Sequence, residues 1–169
     1  PVVYASNYPL YFFAVEIAGG EVDIRLPEMD GDPAYWAPDG DQVAELQAAD
    51  RILLNGAGSE SWLNFVSLRE ERLVDTTAGL AERLLPLEEA TVHQHGPEGE
   101  HSHAGTAFTT WLDPQLAAAQ AQVIADVLSA LSPTSEDGFR QRFTQLEKQL
   151  QQLDRDLDNA FQPLGNRPV

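Results

Sequence analysis

Asp50-Arg51-Ile52-Leu53-Leu54-Asn55-Gly56-Ala57-Gly58 is the stretch on which the fold turns. Ile52-Leu53-Leu54 is the most apolar strand candidate in the chain, and the glycine-bearing turn behind it feeds a following helix, read as Ser59 to Val66 with Ser59 as N-cap. A nucleotide-binding reading of Asn55-Gly56-Ala57-Gly58 fails. The turn lacks the third glycine of a dinucleotide fingerprint and the Lys-Ser/Thr of a phosphate loop.

Upstream, the same alternation recurs. Asp41 to Ala49 reads as a short helix with Val43 and Leu46 inward, preceded by Pro38-Asp39-Gly40 and by a turn-rich loop from Pro27 to Pro33 that leads to Tyr35-Trp36. Val22 to Leu26 alternates apolar and charged residues, as a strand does. Leu10, Phe13, Ala14 and Ile17 follow Val2-Val3-Tyr4-Ala5-Ser6 at helical spacing until Gly19-Gly20 stops the helix. Strands alternating with short helices specify an α/β lobe, a parallel sheet flanked by helices.

Downstream, Leu73-Val74-Asp75 predicts one more short strand and Ala78 to Leu87 a helix that ends at Pro86. Gly105 to Leu112 is β-branched and aromatic, which predicts a return to the sheet or its edge. Asp113-Pro114 starts a helix, with Asp as cap and Pro at the first position, and Leu116, Val123, Ile124, Val127, Leu128 and Leu131 share its inner face as far as Ser132-Pro133. Thr134-Ser135-Glu136-Asp137 reads as a capping box. The helix it opens carries Phe139, Phe143, Leu146, Leu150, Leu153, Leu157 and Phe161 at steps of three and four, a stripe about 33 Å long. The organisation expected is therefore a lobe over 1–133, a long amphipathic helix over 134–162, and a tail over 163–169. The stripe fits packing on its own domain or self-association as a coiled coil.

Composition bounds the function. With 169 residues and 43% hydrophobic content, the chain can build one packed domain without staples. Its formal net charge of −17 excludes nucleic acid and anionic membrane surfaces as partners and favours cations. There is no cysteine, hence no disulfide, thiolate metal site or Cys nucleophile. A start at Pro1 rather than Met fits a processed or trimmed chain, and a close on Arg167-Pro168-Val169 reads as cut before a strand. Catalysis finds no footing: no His-Glu-x-x-His helix is present, and no histidine outside one loop is available as base for a serine nucleophile.

That loop, 91–105, holds His93-Gln94-His95-Gly96-Pro97-Glu98-Gly99-Glu100-His101-Ser102-His103, two His-x-His pairs around a Gly/Glu centre. Neutral imidazole is the commonest metal ligand. A histidine set without cysteine suits zinc, with manganese, copper and nickel behind it. His93, His95, His101 and His103 are the candidate ligands, with Glu98 and Glu100 as oxygen donors. In an extended His-x-His the two rings point to opposite sides, so convergence on one ion needs the turn that the glycines permit.

Gly31-Asp32-Pro33-Ala34-Tyr35-Trp36-Ala37-Pro38, Ala49 to Gly56, Trp62-Leu63, the His loop and Thr110-Trp111-Leu112-Asp113-Pro114 come in an order that resembles the zinc/manganese ABC-transporter substrate-binding proteins. The resemblance covers their N-terminal lobe and linking helix. It implies an extracytoplasmic or periplasmic protein, in some members membrane-anchored, built of two α/β lobes on one long helix and serving an ABC permease. It also implies a ligand histidine after the first Asp-Pro and another two residues before the Trp of Trp-Leu-Asp-Pro. Here those positions are Ala34 and Thr109, neither of which replaces imidazole for zinc. The His loop is left as the metal-binding element, for zinc capture and delivery to a permease; an incomplete lobe serving as an interaction module is the other reading.

Overall fold

The computed structural model describes residues 1–29, 36–87, 93–94, 100–101 and 106–164. Its centre is a four-stranded parallel sheet in the order β2 (Asp23–Arg25), β1 (Val2–Ala5), β3 (Arg51–Leu54), β4 (Leu73–Asp75). Val3 lies opposite Ile24 on one side and Arg51 on the other, and Leu53 opposite Val74. The inner strands β1 and β3 are apolar because both of their faces are covered. Val3, Ala5 and Leu53 enter one core, while Tyr4, Ile52 and Leu54 enter a second on the opposite face.

The larger core lies under three helices, α1 (Tyr8–Ala18), α3 (Pro114–Leu131) and α4 (Glu136–Phe161). The smaller one lies under α2 (Gly40–Ala48) and contains Trp36 and Trp62 packed edge to face, ring centroids 5.5 Å apart. Local chemistry fixes where the helices begin. The Asn7 side chain accepts from the Leu10 N–H, Asp39 and Gln42 form a reciprocal capping box, and Asp113 Oδ1 accepts from the N–H groups of Gln115 and Leu116 ahead of Pro114. Helix α1 stops at Gly19, in the left-handed region at φ 58°.

Arg142, on the first turns of α4, completes that stop. Its guanidinium donates to the carbonyls of Ile17 (2.7 Å) and Ala18 (3.1 Å) and to Glu21 (2.7 Å), and stacks over Phe139 at 5.5 Å. A β-carbon at Gly19 would lie 2.7 Å from it. The helix that leaves the lobe is thus fastened at its root to the end of the first helix.

Four expectations need correction. Of the run Gly105 to Leu112, the described residues 106–112 do not rejoin the sheet. Thr106 makes an isolated bridge with Pro86, Thr110–Leu112 is a 3-10 turn, and the Phe108 carbonyl that a strand would use is taken by the Asn55 side chain. The helix expected over Ser59 to Val66 is a 3-10 turn, Ser61–Phe65. Ser59 does not cap it, because Gly56, Ala57 and Gly58 all take left-handed conformations and Glu60 folds back on the turn. The segment from Ala78 forms 3-10 turns that end at Arg83. The capping box at Thr134 is absent: α4 begins at Glu136 behind a 3-10 turn, Pro133–Ser135, and Ser135 lacks the extended backbone that a side-chain cap requires. The expected tail beyond 164 lies outside the described residues.

Substituting Arg142 with Met keeps the packing of the stem and removes the charge-assisted hydrogen bonds. It should lower stability by about 2 kcal/mol in urea unfolding. A variant as stable as the parent would show that the clamp contributes nothing.

Candidate functional site

The carboxyl ends of β1, β3 and β4 converge on a buried polar cluster, at the edge where open α/β sheets take ligands. Asn55, fully buried, directly follows β3. Its Nδ2 donates to the Phe108 carbonyl at 2.8 Å, and its Oδ1 accepts from Asn7 (3.3 Å) and Gln120 (3.3 Å) and lies 3.2 Å from the Thr110 hydroxyl. Gln120 of α3, also fully buried, donates to Thr76 Oγ1 at 2.8 Å and accepts from Thr110 at 3.0 Å. Buried amides persist only when satisfied in this way. Five segments are joined: the start of α1, the ends of β3 and β4, the chain returning from the His loop, and α3.

Glu60 is the second node. Its carboxylate accepts from the Ser6 hydroxyl (2.6 Å) and from the backbone N–H groups of Asn55 (2.7 Å) and Gly56 (3.1 Å). Burial pushes its pKa above the ordinary carboxylate range, while those three donors pull the other way. Gly56 has no room for a side chain, since a β-carbon there would run into the Asp75 carboxylate and the Thr77 hydroxyl.

The loop candidates stand in part within the described residues. His93–Gln94 (β5) and Glu100–His101 (β6) form an antiparallel pair, His93 opposite His101 and Gln94 opposite Glu100. On either side of the loop in the sequence, Pro86 bridges Thr106 and the Ala107 N–H donates to the Leu85 carbonyl at 2.8 Å. His95, Glu98 and His103 lie outside the described residues, as does Ala34. Thr109 is exposed at the head of the 3-10 turn, where its hydroxyl is a poor zinc ligand. Among the described residues no three His, Asp or Glu side chains gather as a metal-holding group.

A family model for ZnuA, the periplasmic component A of zinc-uptake complexes, matches residues 3–169. The chain belongs to the ZnuA family. It is 29% identical to the zinc-binding lipoprotein AdcA of Streptococcus pneumoniae over 158 residues, 90% of this chain and 31% of AdcA. With the high-affinity zinc uptake system protein ZnuA of Bacillus subtilis it shares 29% identity over 167 residues, 90% of this chain and 49% of that protein. The periplasmic zinc-binding protein TroA of Treponema pallidum superposes with a TM-score of 0.79 at 25% identity, over 96% of this chain and 56% of TroA. The chain thus spans between about a third and a half of these curated relatives. The ZnuA family comprises metal-binding components of transporters and not enzymes.

Asn55, Glu60, Thr110 and Gln120 were not singled out by sequence reasoning. Asn55 and Glu60 flank a turn whose glycines drew attention to the backbone, and Gln120 sits among alanines on a helix with no polar pattern to mark it. The signal that existed was Gln120 on the inner, apolar face of α3.

Because folded Glu60 holds its proton more tightly than the unfolded chain does, its contribution to stability is present below the ordinary carboxylate pKa and is lost as pH rises through the raised one. The stability difference between the parent and Glu60→Gln should therefore move in the parent's favour between about pH 7.5 and about pH 4.5, followed by urea melts at each pH. A gap that does not change with pH would show that Glu60 titrates like an exposed carboxylate.

Proposed function

We propose that this chain is the first lobe and linking helix of an extracytoplasmic zinc-binding protein of an ABC uptake system, and that it takes its metal at the His loop. The cargo is zinc. His93, His95, His101 and His103 supply the imidazoles, and Glu98 and Glu100 the oxygen donors. One observation supports the reading: both positions where the resemblance implies histidine hold Ala34 and Thr109, while all four histidines fall within residues 93–103 of the sequence and the pairing of β5 with β6 puts His93 opposite His101. Positions opposite each other in an antiparallel pair are about 4.5–5.5 Å apart at Cα, close enough for both arms to serve one ion. Family membership and the zinc-binding relatives support zinc over the other metals.

Zinc competes with protons for imidazole nitrogen. Affinity should hold above neutrality and fall steeply below about pH 6.5. In a titration against a competing chelator, the parent should bind one or two ions per chain with submicromolar affinity, about 10⁻⁶ M or tighter. The variant with His93, His95, His101 and His103 all replaced by Ala should lose that binding. Affinity that survives the substitutions, or stays flat to pH 5.5, refutes the loop as the site.

The stripe on α4 supports a partner for this lobe. Phe139, Phe143 and Leu146 are buried against α1 and α3, whereas Leu153 and Phe161, further along the same line, are roughly half exposed. We read the outer turns as a seat for a further lobe or for a second copy of the chain. Were the second copy the occupant, sedimentation should show a dimer that Leu153→Gln with Phe161→Gln returns to monomer. A monomeric parent would leave the seat to a further lobe.

A further inference from the structure

Helix α1 has no polar face. Of its eleven residues, Tyr8 to Ala18, Glu16 alone is charged, and Leu10, Phe13, Ala14, Ile17 and Ala18 fill the core. The opposite side carries Tyr8, Phe12 and Val15 at i, i+4 and i+7, and these are 65%, 41% and 37% exposed. A surface helix in a water-soluble domain ordinarily turns charged residues outward, as α4 does with its Gln, Asp, Glu and Arg. An apolar line of this kind on a lobe whose formal net charge is −17 is therefore a surface made to be covered.

Tyr11 carries the line sideways into a groove of about 680 Å³ at the end of β2. Four carboxylates, Glu28, Asp39, Asp41 and Glu45, line that groove with a single guanidinium, Arg25, which is itself bound to Asp23 at 2.6 Å. Glu45 accepts from the Tyr4 hydroxyl at 2.7 Å and Asp39 caps α2, so Glu28 and Asp41 are the carboxylates without such duties in the fold. Anionic lipid is repelled by such a rim, whereas lysine or arginine on a protein partner is attracted by it.

We infer that the outer face of α1 and the adjoining acidic groove form one docking surface for a protein that presents apolar side chains bordered by Lys or Arg, the extracytoplasmic face of the membrane permease. Aromatic side chains at the centre and charges at the edge are the arrangement in which the aromatics hold the complex and the charges speed its formation. The identity of the partner rests on the uptake role proposed above; the surface itself rests on α1 and the groove.

The test uses the full chain against a zinc-uptake ABC permease reconstituted in lipid nanodiscs, with empty nanodiscs of the same lipid beside it. Tyr8→Ser, Phe12→Gln and Val15→Thr together should weaken binding by about tenfold or more, through faster dissociation. Glu28→Gln with Asp41→Asn should slow association and flatten its salt dependence. Phe12→Gln alone, at a half-exposed position, should show part of the loss in a chain with an unchanged melting curve. Zinc titration of every variant should match the parent. Undiminished binding by the α1 variants overturns the docking surface and leaves the uptake reading intact. Equal binding to empty nanodiscs assigns α1 to lipid and overturns it as well. A parent that ignores the permease removes the permease partner and this surface together, with loop zinc binding still decided by its own titration.

Discussion

The side-chain amide of Asn55 is where the lobe is joined. It lies at the carboxyl end of the inner strand β3, and in a parallel sheet that end leaves chain segments with unpaired backbone groups and no neighbouring strand to take them. Asn55 meets the need from both sides of its amide, holding the Phe108 carbonyl with its nitrogen and gathering Asn7, Thr110 and Gln120 at its oxygen. Glu60 does the same for the backbone of Asn55 and Gly56. Replacing either node by an apolar residue would strand several buried donors at once, and each orphan costs about 1–3 kcal/mol.

Amides, hydroxyls and one carboxylate tie these strand ends together, so the scaffold does not depend on a histidine at position 34 or 109, where the sequence has Ala34 and Thr109. Pro86 and Thr106, which flank the His loop in the sequence, form a bridge two residues before the Phe108 carbonyl that Asn55 holds. The chain on both sides of the loop is thereby tied beside the buried polar cluster.

Much of this was legible in the sequence. Strands β1, β3 and β4 announced themselves by apolar runs, the start of α3 by Asp113-Pro114, and the stop of α1 by Gly19-Gly20, because these signals are local. What escaped depends on distant partners. Nothing near Gly105 to Leu112 says that its carbonyl will be claimed from position 55, and its β-branched residues argued for a strand that tertiary hydrogen bonding denied. The Thr134 capping box failed for a nearer reason, since Pro133 and the 3-10 turn behind it left Ser135 in the wrong backbone conformation. The histidines stood out by type and clustering, whereas the buried polar nodes were hidden by looking like ordinary turn and helix residues.

The Arg142 clamp has a mechanical meaning. It ties the first turns of α4 to the end of α1. Further along, Leu150 still packs on the core and Gln115 of α3 donates to Asp154 at 3.0 Å, so the helix is braced on α3 over most of its length. Beyond Asp154 the overhang to Phe161 is only about 10 Å. The helix behaves as a beam with two supports, one guanidinium at the root and one amide near the far end, and a load on its last turns passes into both α1 and α3 instead of being taken up by bending at the root.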